Sequence, residues 1–395
     1  MIEITNIRQG AILNHNHGKE TDSSLSILLE GFCSGRPVKV NGEKADMVGR
    51  RFSKEIALTK KFNEITVSEQ TPFGLYSQQI VVVWDKKSFK RYNFFIDDHS
   101  FLFTDLARER PKSAFDHFYL KALKAIREKY PFKVTLNCFF RNDHDKSFTL
   151  DQMPDIWKQE FMDNSHWLKF SFHAKSEFPD RPYLESSAEE FGKDYDQVKN
   201  EVVRFAGKEA FTPPSVIHWG NIHPTVAQEC VRRGAFMNKS CMRPMVMGGP
   251  SLDDRLKGGD MTSTRSREVF RGRSDLEGFA LFYENQEEKS FLARNSAYYD
   301  PLMKIVVCGD TAICCNLVPL DKTEAQIKAF IAANASSGAE YMNLASHEQY
   351  SFPYYFNYLP DHLQRLELAV KTAVEAGYSP VFANEGFMGN TAWNE

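Results

Sequence analysis

Strand-like and helix-like patterns alternate from about residue 93 to the C-terminus, and this alternation constrains the fold more than any other feature. Short apolar runs such as NFFID, VTLNCFF and LKFSFHA are typical of buried strands. The segment FYLKALKAIREKY between them places Leu120, Leu123 and Ile126 on one helical face. The alternation predicts a parallel sheet covered by helices, and about seven such units favour closure into an α/β barrel.

The first 90 residues have a different pattern, in which short apolar runs alternate with turn signals. LSILLEGF, NEITVSE and QQIVVVWD indicate strands, and Asn41-Gly42 is a hairpin signal. We therefore predict a small immunoglobulin-like β-sandwich at residues 1–90 and a (β/α) barrel domain at residues 91–395. A basic, irregular stretch at about residues 235–300 is expected to be a long insertion in the barrel.

Charge and composition exclude several kinds of protein. The formal net charge of -3 gives no general attraction to nucleic acid or to an anionic membrane, so we expect neither as a partner. No apolar stretch approaches the ~20 residues that cross a bilayer, and the N-terminus lacks a signal peptide's apolar block. We expect a cytoplasmic protein, or a periplasmic or secreted one if a signal peptide was removed. Seven cysteines without a CxxC pair argue against a disulfide framework or a thiolate zinc site.

Ionisable side chains occur at the ends of four predicted strands. They are Asp97 and Asp98 on the first strand, His173 on the third, His218 on the fourth, and His347 with Glu348 on the penultimate one. Parallel α/β folds place their sites at the carboxyl ends of strands, where these residues would meet. The sequence therefore predicts one shared site.

One carboxylate and two imidazoles are suitable ligands for a divalent metal ion. We predict that Asp98, His173 and His218 bind one ion, with zinc as the preferred candidate. Asp97 is then the candidate general base and His347 the candidate general acid of a metal-assisted hydrolysis. The chain has no GxSxG elbow, Walker loop or GxGxxG fingerprint after a strand, so no nucleotide cofactor is expected.

The order of these motifs resembles the polysaccharide deacetylase (NodB-homology) superfamily over roughly residues 93–390. The IDD ending is similar to the family's first motif, in which the first Asp acts as base and the second binds the metal. FSFHAKSE lies where the family has its His-x-x-x-His metal motif, PPSVIHWG resembles its Pro-containing fourth-strand motif, and LASHEQY matches its late strand with the general acid. The resemblance implies an irregular (β/α) barrel and a carbohydrate substrate from which an acyl group is removed.

The sequence departs from the family at two positions. The second metal histidine of the family falls at Glu177, and its arginine before the Pro-Pro pair falls at Phe211. A carboxylate can replace an imidazole as a ligand, but a phenylalanine cannot orient an aspartate base. Two alternatives therefore stay open: a glycoside hydrolase or polysaccharide lyase that pairs Asp97 or Asp98 with Glu348, and a carbohydrate-binding protein without catalysis.

Residues that follow the strand ends are candidates for substrate binding. They are Glu177, Arg181, Tyr183, Trp219, Tyr354 and Tyr355. Aromatic rings stack on the apolar faces of sugars, and an arginine can hold a uronate or sulfate group. We therefore expect a carbohydrate partner that could be anionic.

Overall fold

A computed structural model provides the coordinates of the chain. It describes residues 2–179, 182–183, 186–220, 222–235, 237–239, 297–301, 304–315 and 320–394. Most of the expected insertion at about residues 235–300, and Arg181, lie outside these ranges. The chain divides into two compact units, the first containing Met1–Ser88, Ala297–Val306 and Asn390–Glu395, and the second containing Phe89–Ser296 and Val307–Gly389.

The secondary structure combines short strands with helices of one to five turns. The strands are β1 (Glu3–Ile4), β2 (Ile12–Leu13), β3 (Lys19–Glu20), β4 (Leu25–Phe32), β5 (Val38–Val40), β6 (Glu43–Lys44), β7 (Asp46–Val48), β8 (Arg51–Leu58), β9 (Phe62–Thr71), β10 (Gly74–Trp84), β11 (Arg91–His99), β12 (Val134–Phe139), β13 (Leu168–Ala174), β14 (Met237–Lys239), β15 (Ala297–Asp300), β16 (Ile305–Cys308), β17 (Ala312–Ile313), β18 (Tyr341–His347) and β19 (Ser379–Val381). The helices are α1 (Phe101–Glu109), α2 (Phe118–Lys129), α3 (Lys158–Asp163), α4 (Ala188–Ala206), α5 (Pro224–Arg232), α6 (Leu320–Ser336) and α7 (His362–Glu375).

Residues 1–88 of the first unit contribute two sheets. One has the order β1-β4-β8-β7, with β3 also paired to β4, and all of its pairs are antiparallel. The other has the order β2-β10-β9-β5-β6, in which the β2–β10 pair is parallel. Leu25, Ile27 and Leu29 of β4 share a buried apolar cluster with Val67 of β9. The two sheets therefore pack as a sandwich, and its immunoglobulin-like topology stays a prediction.

The hairpin between β5 and β6 has the turn that its sequence predicts. Asn41 and Gly42 have φ angles of 50° and 85°. A type I′ turn needs positive φ at both central residues, and Asn-Gly meets this need at the lowest steric cost. The Asn41 side chain also accepts a hydrogen bond from the backbone N–H of Thr66 at 2.9 Å, which ties the turn to β9.

A parallel sheet with the strand order β13-β12-β11-β18-β17 forms the centre of the second unit, and β19 pairs with the first half of β11. Every residue of β11 is buried. Phenylalanine rings from α1, α3, β13 and α4 pack together under the sheet, with Phe161 and Phe170 centroids 5.2 Å apart. Many of the 32 phenylalanines therefore serve the core. No helix among the described residues is long and apolar enough to cross a membrane.

The mixed α/β class is confirmed, but the described residues do not close a barrel. The edge strands β13 and β17 do not pair with each other in this part of the chain. The predicted fourth strand, SVIHWG, is not a strand. Pro213 and Pro214 before it lack the N–H groups that a ladder needs, and a single bridge between Phe170 and Phe211 is all that forms. The segment then turns at His218–Gly220.

Candidate metal centre

A register shift at the end of β11 places Asp97 and Asp98. Ile96 pairs with Leu136 and His99 pairs with Cys138, so that the two aspartates oppose a single residue of β12, Asn137. Asp98 has a φ of 68°, which a residue other than glycine adopts at a cost of about 1–3 kcal/mol. Such a bulge redirects a side chain at the end of a strand.

His173 lies at a second register shift in the same sheet. Cys138 pairs with Phe172 and Phe139 pairs with Ala174, which leaves His173 as the extra residue of β13. His218 comes from the turn after the two prolines and is followed by Trp219, whose φ of 68° is also in the left-handed region. All three candidate ligands therefore lie where the backbone departs from regular structure.

The candidate ligand atoms of these three residues form a compact triangle. Asp98 Oδ1 lies 3.1 Å from His173 Nε2 and 3.4 Å from His218 Nδ1. The two imidazole nitrogens are 3.2 Å apart. Zinc bound tetrahedrally at about 2.0–2.1 Å has ligands about 3.3–3.4 Å from one another. The triangle thus has the dimensions of one face of a tetrahedral zinc site.

The surrounding hydrogen bonds also fit a metal ion. His218 Nε2 lies 3.1 Å from the backbone oxygen of Glu177, which fixes the proton on Nε2 and leaves the Nδ1 lone pair for a ligand bond. Asp98 Oδ1 is buried, and no donor among the described residues meets it in hydrogen-bond geometry. A cation would satisfy this oxygen.

Electrostatics keep Asp98 ionised. Burial acts to raise the pKa of Asp98, but the nearby imidazoles of His347, His173 and His218 outweigh burial and hold it well below its ordinary value. A carboxylate must be ionised to bind a metal ion, and this direction of the Asp98 pKa favours that form.

Asp97 lies next to the triangle and is oriented by Asn137. The Asn137 side-chain amide donates a hydrogen bond to Asp97 Oδ1 at 2.7 Å. His173 Nδ1 is 3.9 Å from the same oxygen, beyond hydrogen-bond distance. Asn137 therefore supplies the orientation that Phe211 cannot, and the sequence analysis missed it. Its signal is an amide within the otherwise apolar strand VTLNCFF.

His347 approaches Asp98 from β18. Its Nε2 lies 4.0 Å from Asp98 Oδ2, and its side chain is 30% exposed. Its Nδ1 lies 3.1 Å from Cys315 Sγ, a residue that the sequence analysis did not select. Burial acts to lower the pKa of His347, but Cys315 and Asp98 raise it to about 10. The imidazole therefore carries a proton at neutral pH.

Glu348, the predicted second catalytic carboxylate, contacts the start of α1. It is fully buried, and its two oxygens accept hydrogen bonds from the backbone N–H groups of Ser100, Phe101 and Leu102 at 2.7–3.0 Å. These groups form the N-terminus of α1, where N–H donors have no partner within the helix. The carboxylate thus caps α1, and the catalytic role of Glu348 stays a prediction.

The residues predicted to contact substrate lie in different environments. Tyr183 is buried, and its hydroxyl donates to Asp194 and accepts from the backbone N–H of Lys175, so its predicted substrate role stays a prediction. The Glu177 carboxylate lies 2.6 Å from His144 Nε2, and its backbone, not its side chain, contacts a candidate ligand. Trp219 is half-buried, with its ring centroid 6.0 Å from that of His218.

Tyr354 and Tyr355 line a pocket of about 350 Å³ beside α1. Further lining residues are Phe101, Asp105, His144 and Phe356. Tyr354 and Phe356 are 59% and 56% exposed, whereas Tyr355 is buried. His144 of this pocket bonds Glu177, and the Glu177 backbone bonds His218. One chain of hydrogen bonds therefore connects the pocket to the candidate metal centre.

Comparisons with known proteins add little. No family model matches the chain, and no curated protein matches it. Among solved structures, a "putative alpha-galactosidase" from Bacteroides fragilis is 10% identical, with 95% of this chain and 78% of that chain covered and a TM-score of 0.27. A TM-score this low establishes neither a shared fold nor a shared activity.

Proposed function

We propose that this protein is a metal-dependent hydrolase that removes an acyl group from a carbohydrate. The observation that carries the proposal is the triangle of Asp98, His173 and His218, with edges of 3.1–3.4 Å and a buried oxygen for which the described residues offer no donor in hydrogen-bond geometry. Asp97 lies 3.9 Å from His173 Nδ1, and His347 lies 4.0 Å from Asp98 Oδ2. The set combines a metal site with a candidate base and a candidate acid.

The three triangle residues would hold one divalent ion, and zinc suits one carboxylate oxygen and two imidazole nitrogens. When bound, such an ion supplies Lewis-acid activation of an acyl group and of a water nucleophile. Glu177 holds His218 in the tautomer that this role requires. The ion identity and the ligand roles are part of the proposal.

Asp97 accepts the proton of the attacking water, and His347 donates a proton to the leaving oxygen or nitrogen. Asn137 fixes the Asp97 carboxylate, so that its orientation is set before substrate binds. Contact with Cys315 orients the His347 ring and keeps it protonated. These two groups provide the base and the acid that cleavage of an ester or amide needs.

The pocket beside α1 supports an uncharged sugar. Exposed rings of Tyr354 and Phe356 can stack on the apolar face of a pyranose. Arg108, the arginine in the pocket lining, contacts Asp145 at 2.5 Å. Because this guanidinium already has a carboxylate partner, the pocket favours a neutral carbohydrate over a uronate or sulfated one.

The glycosidase alternative requires a second carboxylate beside Asp97 or Asp98. Glu348 was its candidate, and both oxygens of that residue bond the start of α1. We therefore do not propose glycosidic cleavage.

Assays on acetylated and matching unacetylated neutral oligosaccharides test the proposal. We expect acetate release from the acetylated substrates alone, loss of release after chelation, and recovery when zinc is added back. Asp98→Asn should release no acetate at any zinc concentration, whereas the exposed control Asp321→Asn at the start of α6 should behave as wild type. New reducing ends that persist after chelation would contradict the proposal and indicate a glycoside hydrolase.

A further inference from the structure

A second set of potential ligands lies on α1 and at the start of α2. Its members are Asp105, Glu109 and His117, whose ligand atoms all lie within 4.8 Å of one another. We propose that these three residues form a second divalent cation site, for a first-row transition ion such as zinc. It shares no ligand with the centre at Asp98, so it does not depend on the proposed function.

Helix geometry brings the two carboxylates together. Asp105 and Glu109 are four residues apart on α1, so their side chains occupy the same face one turn apart. Two like charges in this arrangement repel each other unless a cation lies between them. The Tyr354 hydroxyl is 3.1 Å from both oxygens of Asp105 and restricts the orientation of that carboxylate.

His117 provides the independent observation that points to a ligand. It is 4% exposed, and among the described residues neither of its ring nitrogens has a hydrogen-bond partner. Its Nε2 faces Asp105 Oδ2 at 3.5 Å, without hydrogen-bond geometry. Phe118 and Phe352 pack against its ring, with centroids 4.7 Å and 6.0 Å away. A buried imidazole without a partner is costly, and a metal ion would satisfy it.

The donor set selects the class of ion. One imidazole nitrogen and two carboxylates suit zinc and its first-row neighbours, whereas calcium and magnesium prefer oxygen ligands throughout. The ion would join the second half of α1 to the start of α2. Because Asp105 also lines the 350 Å³ pocket, the ion would lie at the wall of that pocket.

The experiment is a zinc titration of the stripped full-length protein, with bound zinc measured by elemental analysis and thermal unfolding measured in parallel. Wild type should bind two equivalents, and Asp98→Asn and Glu109→Gln should each retain one. At the zinc concentration that just saturates wild type, the combined variant Asp98→Asn/Glu109→Gln should bind neither ion, because affinity at each site falls roughly tenfold or more. Glu128→Gln, an exposed carboxylate on α2, is the matched control and should bind two.

Glu109 is exposed, so its replacement should leave the fold intact even if the buried His117→Gln variant fails to fold. Zinc should raise the unfolding temperature of Asp98→Asn but not that of the combined variant. If Glu109→Gln binds as much zinc as wild type with unchanged affinity, the second site is wrong. If Asp98→Asn instead keeps full zinc while Glu109→Gln loses one equivalent, the second site stands and the proposed hydrolase centre fails.

Discussion

The sheets of the two units differ in the regularity of their strand register. In the first unit, β9 and β10 pair without interruption from Thr71↔Gly74 to Phe62↔Val83. In the second unit, the parallel sheet shifts register at two places, and the residues in those shifts include Asp98 and His173. Regular pairing serves packing in the first unit, whereas the second unit accepts a strained backbone where it gathers polar side chains.

The two units also differ in how their buried carboxylates are hydrogen-bonded. Glu69 of the first unit accepts hydrogen bonds from the backbone N–H and the hydroxyl of Ser34 at 3.1 and 2.9 Å. Asp98 of the second unit faces two imidazoles, and no donor among the described residues meets its Oδ1 in hydrogen-bond geometry. A satisfied buried carboxylate stabilises a fold, and an unsatisfied one indicates a ligand.

The largest expected effect comes from the candidate base. Asp97→Asn should reduce acetate release about 10²–10⁴-fold, because it removes a general base, and should leave zinc content unchanged. Glu69→Gln in the first unit should instead keep full turnover. Its free energy of unfolding should be lower than that of wild type by about 1–3 kcal/mol. Turnover and urea unfolding of both variants provide the measurement. Equal turnover losses would show that the two carboxylates do not differ in role.

Asn137→Ala should have a smaller effect on the same reaction. It removes the amide that orients Asp97, and loss of such a supporting contact reduces activity roughly 10–100-fold. The loss should appear in kcat more than in KM, because Asn137 does not line the pocket. Asn137→Asp, which places a second acid beside Asp97, should not restore turnover. Wild-type kcat in Asn137→Ala would exclude the orienting role.

A separate prediction concerns stability and not turnover: we expect an acid sensitivity located in the second unit. His362 is buried between the hydroxyls of Ser346 and Ser351, at 2.7 and 2.6 Å, and burial lowers its pKa to about 3. Because the unfolded chain binds this proton near pH 6.5, the stability contribution is complete above pH 6.5 and is lost as the pH falls toward 3. The slope is about 1.4 kcal/mol per pH unit.

Urea unfolding between pH 7 and pH 4 measures this slope. His362→Gln should unfold with a shallower pH dependence than wild type, whereas His15→Gln, at an exposed position of the first unit, should keep the wild-type slope. An unchanged slope in His362→Gln would contradict the assignment of the acid sensitivity to this residue.

Sequence patterns predict the correct structure where the local preference of a segment agrees with its packing in the fold. The short, largely apolar run LSILLEGF forms β4, and Asn41-Gly42 forms the expected turn. The meeting of Asp98, His173 and His347 was also predictable, because parallel strands bring their carboxyl ends to one edge. His218 joined them by another route, from a turn and not from the predicted strand.

The features that the sequence did not predict depend on contacts between residues far apart in sequence. In the run FFIDDHSFLF, apolar residues lie on both sides of four polar ones, so the end of β11 at His99 and the start of α1 at Phe101 leave no periodic signal. Glu348 caps α1 from about 250 positions away, which no local pattern encodes. The register shifts likewise follow from packing of whole strands and not from a recognisable motif.

Anomalous diffraction at the zinc edge, from crystals of the zinc-loaded protein, tests the central claim most directly. The account predicts a peak about 2.0–2.2 Å from Asp98 Oδ1, His173 Nε2 and His218 Nδ1, and no such peak in crystals of Asp98→Asn. A zinc-loaded crystal without density at this triangle, with Asp98 hydrogen-bonded to a protonated imidazole instead, would contradict it.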